Sequence, residues 1–174
     1  MRFVKLICVL AVALTAPAAG AETKTRLFRS GDWALYRVDD FVIRETRRMV
    51  SVDGACVAET ATANARMRFA LVPVVQAVVI QISSQDWDYR ARTGLLRLRS
   101  EDANTSYGGT SYSGQMIQHI AETPANCLTC FEILRIVGGR TVDVFDYRER
   151  HIAQFSSEGY AAVLDRAYGC AGLE

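Results

Sequence analysis

The sequence is poor in histidine and proline, and it has no excess of charge of either sign. Its 174 residues include 2 His and 3 Pro, and 20 Lys plus Arg stand against 19 Asp plus Glu. This balance argues against a nucleic-acid-binding protein, because contact with the phosphate backbone depends on many Lys and Arg side chains. Half of the residues are hydrophobic, which argues against a disordered chain. We therefore expect one globular domain.

A secretory signal peptide is expected at the amino terminus. Arg2 and Lys5 precede an apolar run, and the small residues 19–21 follow it, in the order of a cleaved export signal. We expect a signal peptide over residues 1–21 and one β-rich domain over 22–174. Cleavage would leave 18 basic residues (20 minus 2) against 19 acidic ones. The net charge would then be close to zero, so the protein would have little electrostatic attraction for a polyanion.

The expected location is the periplasm of a Gram-negative cell, or the outside. After the signal, no apolar run approaches the length of about 18 residues that a membrane-spanning helix needs. We therefore expect no membrane span after cleavage, and no nucleic-acid partner.

The cysteines are expected to form disulfides. Cys8 lies in the signal, which leaves Cys56, Cys127, Cys130 and Cys170. An even number of cysteines in an oxidising compartment is typical of disulfides, and four allow three pairings that sequence does not separate. The preferred pairing is Cys127 with Cys130 and Cys56 with Cys170.

Short apolar runs indicate a mainly β fold. They are rich in β-branched residues and bounded by Asp, Gly, Asn or Pro, as strands are. The chain then ends on an apolar stripe with helical spacing, from Tyr160 to Tyr168, which Ser156 or Ser157 would cap. We expect an antiparallel β-sandwich or open barrel with a C-terminal α-helix packed on it. The expected strands are Trp33–Val38, Phe41–Arg44, Cys56–Thr60, Met67–Val72, Val78–Ile82, Leu95–Arg99 and Ser113–Ile120.

A hairpin is also expected around a glycine pair. Gly138 and Gly139 separate the apolar runs 131–137 and 141–145. Two glycines between strands are a strong hairpin signal, because both central residues of the tightest turns need positive φ.

Two short motifs and a closely spaced cysteine pair resemble a known family. Gly31-Asp32-Trp33 opens the domain, residues 155–164 form a Phe-Ser-x-x-Gly-Tyr-x-Ala segment, and Cys127 and Cys130 are closely spaced. Together they resemble the invasion-associated locus B family of periplasmic proteins. Residues 36–38 stand where that family usually has a cysteine. The resemblance implies a small secreted β-rich protein without assigned catalytic residues, with a role at the envelope or in host contact.

No pattern predicts a catalytic residue, cofactor or metal. Cys127 and Cys130 would suit a redox pair, but a reactive thiolate needs a helix N-terminus that the flanking residues do not predict. A zinc site would need a second C-x-x-C half. Any imidazole chemistry must use His119 or His151, and neither has a catalytic neighbourhood in the sequence. Residues 109–113 fall one residue short of the G-x-S-x-G nucleophile elbow.

Acidic residues near a tryptophan suggest one further enzyme class. Asp86 and Asp88 flank Trp87, and Glu101 and Asp102 follow the next predicted strand. A glycosidase uses two such carboxylates. Adjacent acids at turns are more often solvated, so we do not predict this activity.

A Tyr-, Ser- and Gly-rich segment is the best candidate for binding. Thr-Ser-Tyr occurs twice within residues 105–114, ending at Tyr107 and Tyr112. Tyrosine on a Ser and Gly background is typical of adaptable contact surfaces. With Trp87 and Tyr89, these rings would form a stacking platform for a sugar or a partner protein. The alternative is a long mobile hairpin loop.

The sequence thus favours a non-enzymatic exported protein that binds a protein or a cell-envelope component. The partner itself is not indicated. The alternatives are a periplasmic thiol-disulfide or hydrolytic enzyme, and an inhibitor or immunity protein against a cell-wall-directed toxin.

Overall fold

The computed structural model describes residues 22–45, 48–122, 136 and 138–173. A short 3₁₀ turn, Pro73–Val75, and the C-terminal α-helix, α1 (Tyr160–Cys170), accompany the strands there. The strands are β1 (Thr23–Ser30), β2 (Trp33–Asp39), β3 (Phe41–Glu45), β4 (Arg48–Val52), β5 (Ala55–Ala61), β6 (Ala65–Val72), β7 (Ala77–Ser84), β8 (Tyr89–Arg99), β9 (Asn104–Gly114), β10 (Met116–Glu122), β11 (Thr141–Phe145) and β12 (His151–Ser156).

Ten of these strands form one antiparallel sheet. Their order is β1-β2-β5-β6-β7-β10-β9-β8-β11-β12, and β3 pairs with β4 in a separate hairpin. Antiparallel strands need only short connections, in agreement with the turns that join β1 to β2 and β6 to β7. The prediction of a mainly β fold with a C-terminal helix is confirmed.

One face of the sheet and the helix enclose the main core. Alternate residues of almost every strand point into it, as the pleat of a strand requires. From α1 come four buried residues at helical spacing, Tyr160, Val163, Leu164 and Ala167. The sheet therefore curves round a shared core as an open barrel. The largest buried side chains from the sheet are Trp33, Leu35, Met67, Ile80, Ile82, Leu96, Leu98, Tyr112, Ile117 and Phe155.

The β3–β4 hairpin covers part of the opposite face. Phe41 and Ile43 pack there against small apolar residues of β5, β6 and β7. Two glutamines hold the hairpin edge: Gln81 Nε2 donates to the carbonyl of Val42 at 2.7 Å, and Gln118 Oε1 accepts from the backbone N–H of Arg44 at 3.0 Å. These side-chain amides satisfy backbone groups that would otherwise be buried without partners.

The two motifs that carry the family resemblance meet in space. The indole N–H of Trp33 donates to the backbone carbonyl of Ser156 at 2.9 Å. The backbone N–H of Asp32 donates to the backbone carbonyl of Glu158 at 3.1 Å. The rings of Trp33 and Tyr160 lie edge to face, 4.6 Å apart. This junction ties the start of the sheet to the start of the helix.

A disulfide joins the other end of the helix to the sheet. Cys56 of β5 is bonded to Cys170 at the end of α1, with Cα atoms 6.0 Å apart. It fastens the helix across the core. Cys127 and Cys130 lie outside the described residues, and their pairing stays a prediction.

A buried charge cluster stabilises the sheet near its first strand. Arg68, whose side chain is 8% exposed, donates to Glu59 at 2.8 Å and to both carboxylate oxygens of Glu22 at 3.1 and 2.8 Å. Lys24 adds a bond of 2.7 Å to Glu59. Burial raises the pKa of Glu59, but the hydrogen bond from Lys24 and the charge of Arg68 outweigh it and hold that pKa below its usual value. Glu22 is the first residue after the expected cleavage site.

The glycine-pair hairpin is a wrong prediction. On one side β11 pairs with β12, and on the other Asp143–Phe145 pairs with Arg97–Arg99 of β8. Both edges of Asp143–Phe145 are therefore occupied by β8 and β12, so the expected hairpin partner does not pair there. That segment lies outside the described residues except for Ile136, whose backbone is helical.

Two smaller expectations also need correction. Gly114 has a φ of +53° and turns the chain between β9 and β10, so Ser113–Ile120 is not one strand. The helix begins after Gly159 without a side-chain cap. Ser157 donates instead to the carbonyl of Gly139.

Candidate functional site

A cleft of about 540 Å³ lies where the start of β8 meets the turn between β11 and β12. Ligand sites are typically about 300–1,000 Å³, so the cleft has the size of a binding site. Its walls come from two segments that are far apart in the sequence, 86–92 and 147–152. Four arginines and three aromatic residues form most of the lining: Arg90, Arg92, Arg148, Arg150, Trp87, Tyr89 and Tyr147. Asp86, Asp88, His151 and Ile152 complete it, so the arginines outnumber the carboxylates by four to two.

Edge-to-face aromatic contacts make the base of the cleft rigid. The ring centroids of Trp87 and Tyr89 are 5.7 Å apart, and those of Tyr112 and Tyr147 are 5.1 Å apart. Such pairs contribute about 0.5–1.5 kcal/mol beyond the area that they bury. Gly94 makes room for them, because a Cβ there would lie 2.8 Å from the Cβ of Tyr147.

Asp146 organises the turn above these rings. It is 1% exposed and accepts from the backbone N–H groups of Arg148 at 2.8 Å and Arg150 at 3.1 Å. The guanidinium of Arg150 adds two more bonds, of 2.9 and 2.6 Å. Burial raises the pKa of Asp146, but the hydrogen bonds from Arg150 and the backbone outweigh it and hold that pKa below its usual value. The carboxylate is therefore charged at neutral pH, and it fixes the backbone of the turn at Arg148 and the side chain of Arg150.

Tyr89 is held protonated beneath the arginines. Burial, together with the negative charge of Asp146, raises the pKa of Tyr89 to about 12. Its hydroxyl lies 3.4 Å from Asp146 Oδ2. The hydroxyl therefore remains a neutral donor at physiological pH.

Three cleft arginines are available to a ligand. The guanidinium of Arg92 lies 3.7 Å above the ring centroid of Tyr147, and that of Arg148 lies 5.2 Å from it. Ion pairs within the described part of the chain engage Arg150 with Asp146 but leave Arg90, Arg92 and Arg148 without a carboxylate. All three side chains are exposed.

The predicted stacking platform is only partly at this site. Trp87 is half-buried and lines the cleft with Tyr89, which is only 8% exposed, and residues 104–114 form strand β9 rather than a loop. Tyr112 is 1% exposed and Tyr107 is 4% exposed, so neither ring offers a face to a ligand. The platform prediction is therefore wrong for these two tyrosines.

The other candidate catalytic groups are not brought together. Residues 109–113 lie within β9 and not at the strand-to-helix turn of a nucleophile elbow. Asp86 and Asp88 precede β8 while Glu101 and Asp102 follow it, and an 11-residue strand separates the pairs by about 30 Å. Glycosidase carboxylates lie within about 10 Å of each other.

The histidines lie in separate places. His151 Nε2 is 2.9 Å from Asp143 Oδ1 on the exposed side of β11 and β12. The His119 ring packs 4.8 Å from that of Tyr107. Across 22–45, 48–122 and 138–173, no three His, Cys, Asp or Glu side chains cluster to form a metal site.

Sequence reasoning missed Arg90, Arg92, Tyr147 and Arg148. They come from two segments more than fifty residues apart, and only the pairing of β8 with β11 brings them together. The available signal was that both segments mix arginine with aromatic residues, Trp-Asp-Tyr-Arg-Ala-Arg and Tyr-Arg-Glu-Arg.

Acid should destabilise the protein through Asp146 and Glu59. Both pKa values are lowered in the folded state, from ordinary values of 3.8 and 4.5. Their contribution to stability is therefore present above these ordinary values and is lost as the pH falls through the folded-state pKa values. We expect the urea midpoint to be constant from pH 7 to about pH 5 and to fall steeply below about pH 4.

The matched variant is Asp146→Asn, which should show a lower midpoint at pH 7 and a shallower acid dependence. A wild-type midpoint that does not change between pH 5 and pH 2.5 would contradict the assignment.

Within the described ranges, no helix combines the length and apolarity needed to cross a membrane. Comparisons of the chain with protein-family models, with curated proteins and with solved structures gave no match.

Proposed function

We propose that the protein is a non-enzymatic, exported binding protein whose cleft holds an anionic group of a protein or cell-envelope component. One observation carries this proposal. Arg90, Arg92 and Arg148 surround a rigid aromatic base and have no carboxylate partner among the described residues.

Arginine suits this role for geometric reasons. Its planar guanidinium donates two parallel hydrogen bonds to a carboxylate or phosphate, and it stacks on aromatic rings. Arg92 is already stacked on Tyr147, and the turn that carries Arg148 is fixed by Asp146. A ligand would therefore lose less entropy in ordering the side chain of Arg92, which favours binding.

Export is the second part of the proposal. The Cys56–Cys170 disulfide is compatible with an oxidising compartment, where such bonds persist. The resemblance of Gly31-Asp32-Trp33 and of residues 155–164 to the invasion-associated locus B family of periplasmic proteins also favours export. We expect the protein in the periplasmic fraction to begin at Glu22, as N-terminal sequencing would test.

Binding should depend on the cleft arginines. Immobilised protein is exposed to solubilised envelope extract, and retained material is assayed for protein, uronic acid and phosphate. An Arg90→Gln/Arg92→Gln/Arg148→Gln variant should retain at least about tenfold less, because each lost charged hydrogen bond weakens binding by about 1.5–3 kcal/mol. Retention by the wild type should also fall with added salt.

The control removes three exposed arginines elsewhere, as Arg26→Gln/Arg99→Gln/Arg140→Gln. It matches the loss of charge and should retain as much as the wild type. Equal retention by the wild type and the cleft variant, or no retention by the wild type, would refute the proposal.

A further inference from the structure

A second, smaller cavity adjoins the arginine cleft. Its volume is about 260 Å³, and it lies between the β5–β6 turn, the end of β7 and Gln115. Asp86 lines both cavities. They are therefore neighbours at one end of the open barrel, and a single extended ligand can reach from one to the other.

Most polar side chains that line the smaller cavity are uncharged, and Arg66 and Asp86 are its two charged residues. Thr62, Asn64, Ser83, Gln85 and Gln115 contribute hydroxyl and amide groups. Gln115 is held in place because its Nε2 donates to the carbonyl of Gln85 at 3.0 Å. Such groups both donate and accept hydrogen bonds, which suits a ligand with several hydroxyls. We name this cavity the amide cavity.

We propose that the two cavities together bind an acidic oligosaccharide. The carboxylate of a uronic acid residue binds Arg90, Arg92 and Arg148, and its ring lies against Trp87. A neighbouring sugar residue binds through its hydroxyls in the amide cavity. This inference rests on the proposed function, because it names the ligand class for the same arginine cleft.

The lining favours a sugar over an acidic peptide. Peptide and protein partners gain most of their affinity from large apolar anchors in desolvated pockets. The apolar residues of the amide cavity are only Ala61, Ala63 and Ala65, which offer no such pocket. A hydroxylated ring, by contrast, matches amide and hydroxyl groups around a half-buried tryptophan.

Calorimetry with defined probes tests the inference on the full disulfide-bonded protein. We expect a tetrasaccharide of galacturonate or of mannuronate to bind, and its carboxyl-reduced counterpart to bind at least about tenfold more weakly, since charged hydrogen bonds are lost. Asn64→Ala/Gln115→Ala should weaken tetrasaccharide binding about fivefold or more. It should leave the binding of a single uronate unchanged.

Gln154→Ala removes an exposed amide on β12 and is the matched control, with no expected change. Circular dichroism checks that each variant folds. If neither tetrasaccharide binds, or if the reduced sugar binds equally well, the inference is overturned.

Hexaglutamate distinguishes the two proposals. If it binds in an arginine-dependent way while both tetrasaccharides fail, the ligand class is wrong and the proposed function stands. If neither it nor any sugar binds, and the cleft arginines do not affect retention of envelope material, both proposals fail.

Discussion

Removing the Cys56–Cys170 disulfide should lower the free energy of unfolding by about 4 to 5 kcal/mol. The two cysteines are 114 residues apart, so the bond removes much of the conformational freedom of the unfolded chain. A Cys56→Ala/Cys170→Ala variant suits the test, because Cys56 is fully buried and alanine adds no polar group there. We expect the melting temperature to fall by about 10 to 20 °C, measured by calorimetry.

Cys127→Ala/Cys130→Ala is the control for this variant. A bond between those residues would close only a short loop, which contributes less in the same loop-entropy account. An unchanged melting temperature in the Cys56→Ala/Cys170→Ala variant would show that the long bond does not hold the folded protein together.

Gly159→Ala should be the most damaging single substitution at the junction between sheet and helix. A Cβ at this position would lie 1.9 Å from the backbone oxygen of Ser30, and the residue has a φ of +86°. The clash is with backbone atoms of Ser30, which cannot rotate away as a side chain could. Residues 30 and 159 must therefore move apart. We expect a loss of at least about 3 kcal/mol, in the range of changes that break a special backbone position. Urea unfolding measures it.

Gly172→Ala separates the clash from the backbone strain. Gly172 also has positive φ, +67°, but no atom lies within 4 Å of its would-be Cβ. Strain alone costs about 1 to 2 kcal/mol, so this variant should lose clearly less than Gly159→Ala. Equal losses would argue against the close approach of residues 30 and 159.

The regular elements were predictable because their signals are local. Short apolar runs bounded by turn residues marked β2, β5, β6 and β7, and helical spacing marked α1. The glycine-pair hairpin is not formed at Asp143–Phe145, because a turn signal does not specify which strands pair with each other. Strand β8 lies more than forty residues from β11 in the sequence and nonetheless occupies its second edge.

The segment mistaken for a loop shows a different limit. Tyr107 and Tyr112 are five residues apart, so a regular strand would point them to opposite faces. Gly109 has a φ of +71°, and the register shifts between Gly94 and Leu96 on β8. This bulge turns both rings into the core. Residues 104–114 are rich in Ser and Gly, and Gly in particular is depleted in strands. The composition of this segment therefore does not predict a strand.

The arginine cleft could not be derived from the sequence for a similar reason. Arg90 and Arg92 precede the β8–β11 pairing and Arg148 follows it, so their proximity is a property of the sheet order. Asp146 had no distinguishing pattern either. Its role emerges only from the five donors that surround it in the fold.

The most direct test uses the two tryptophans, which are the only ones in the chain. Trp87 lines the cleft, whereas Trp33 is fully buried with its indole N–H bonded to Ser156. Indole N–H signals are followed by NMR as the galacturonate tetrasaccharide, and separately hexaglutamate, is added. At least one anion should shift the Trp87 signal while that of Trp33 stays fixed. If the Trp87 signal does not move with either, or if both signals move together, the cleft is not the anion-binding site.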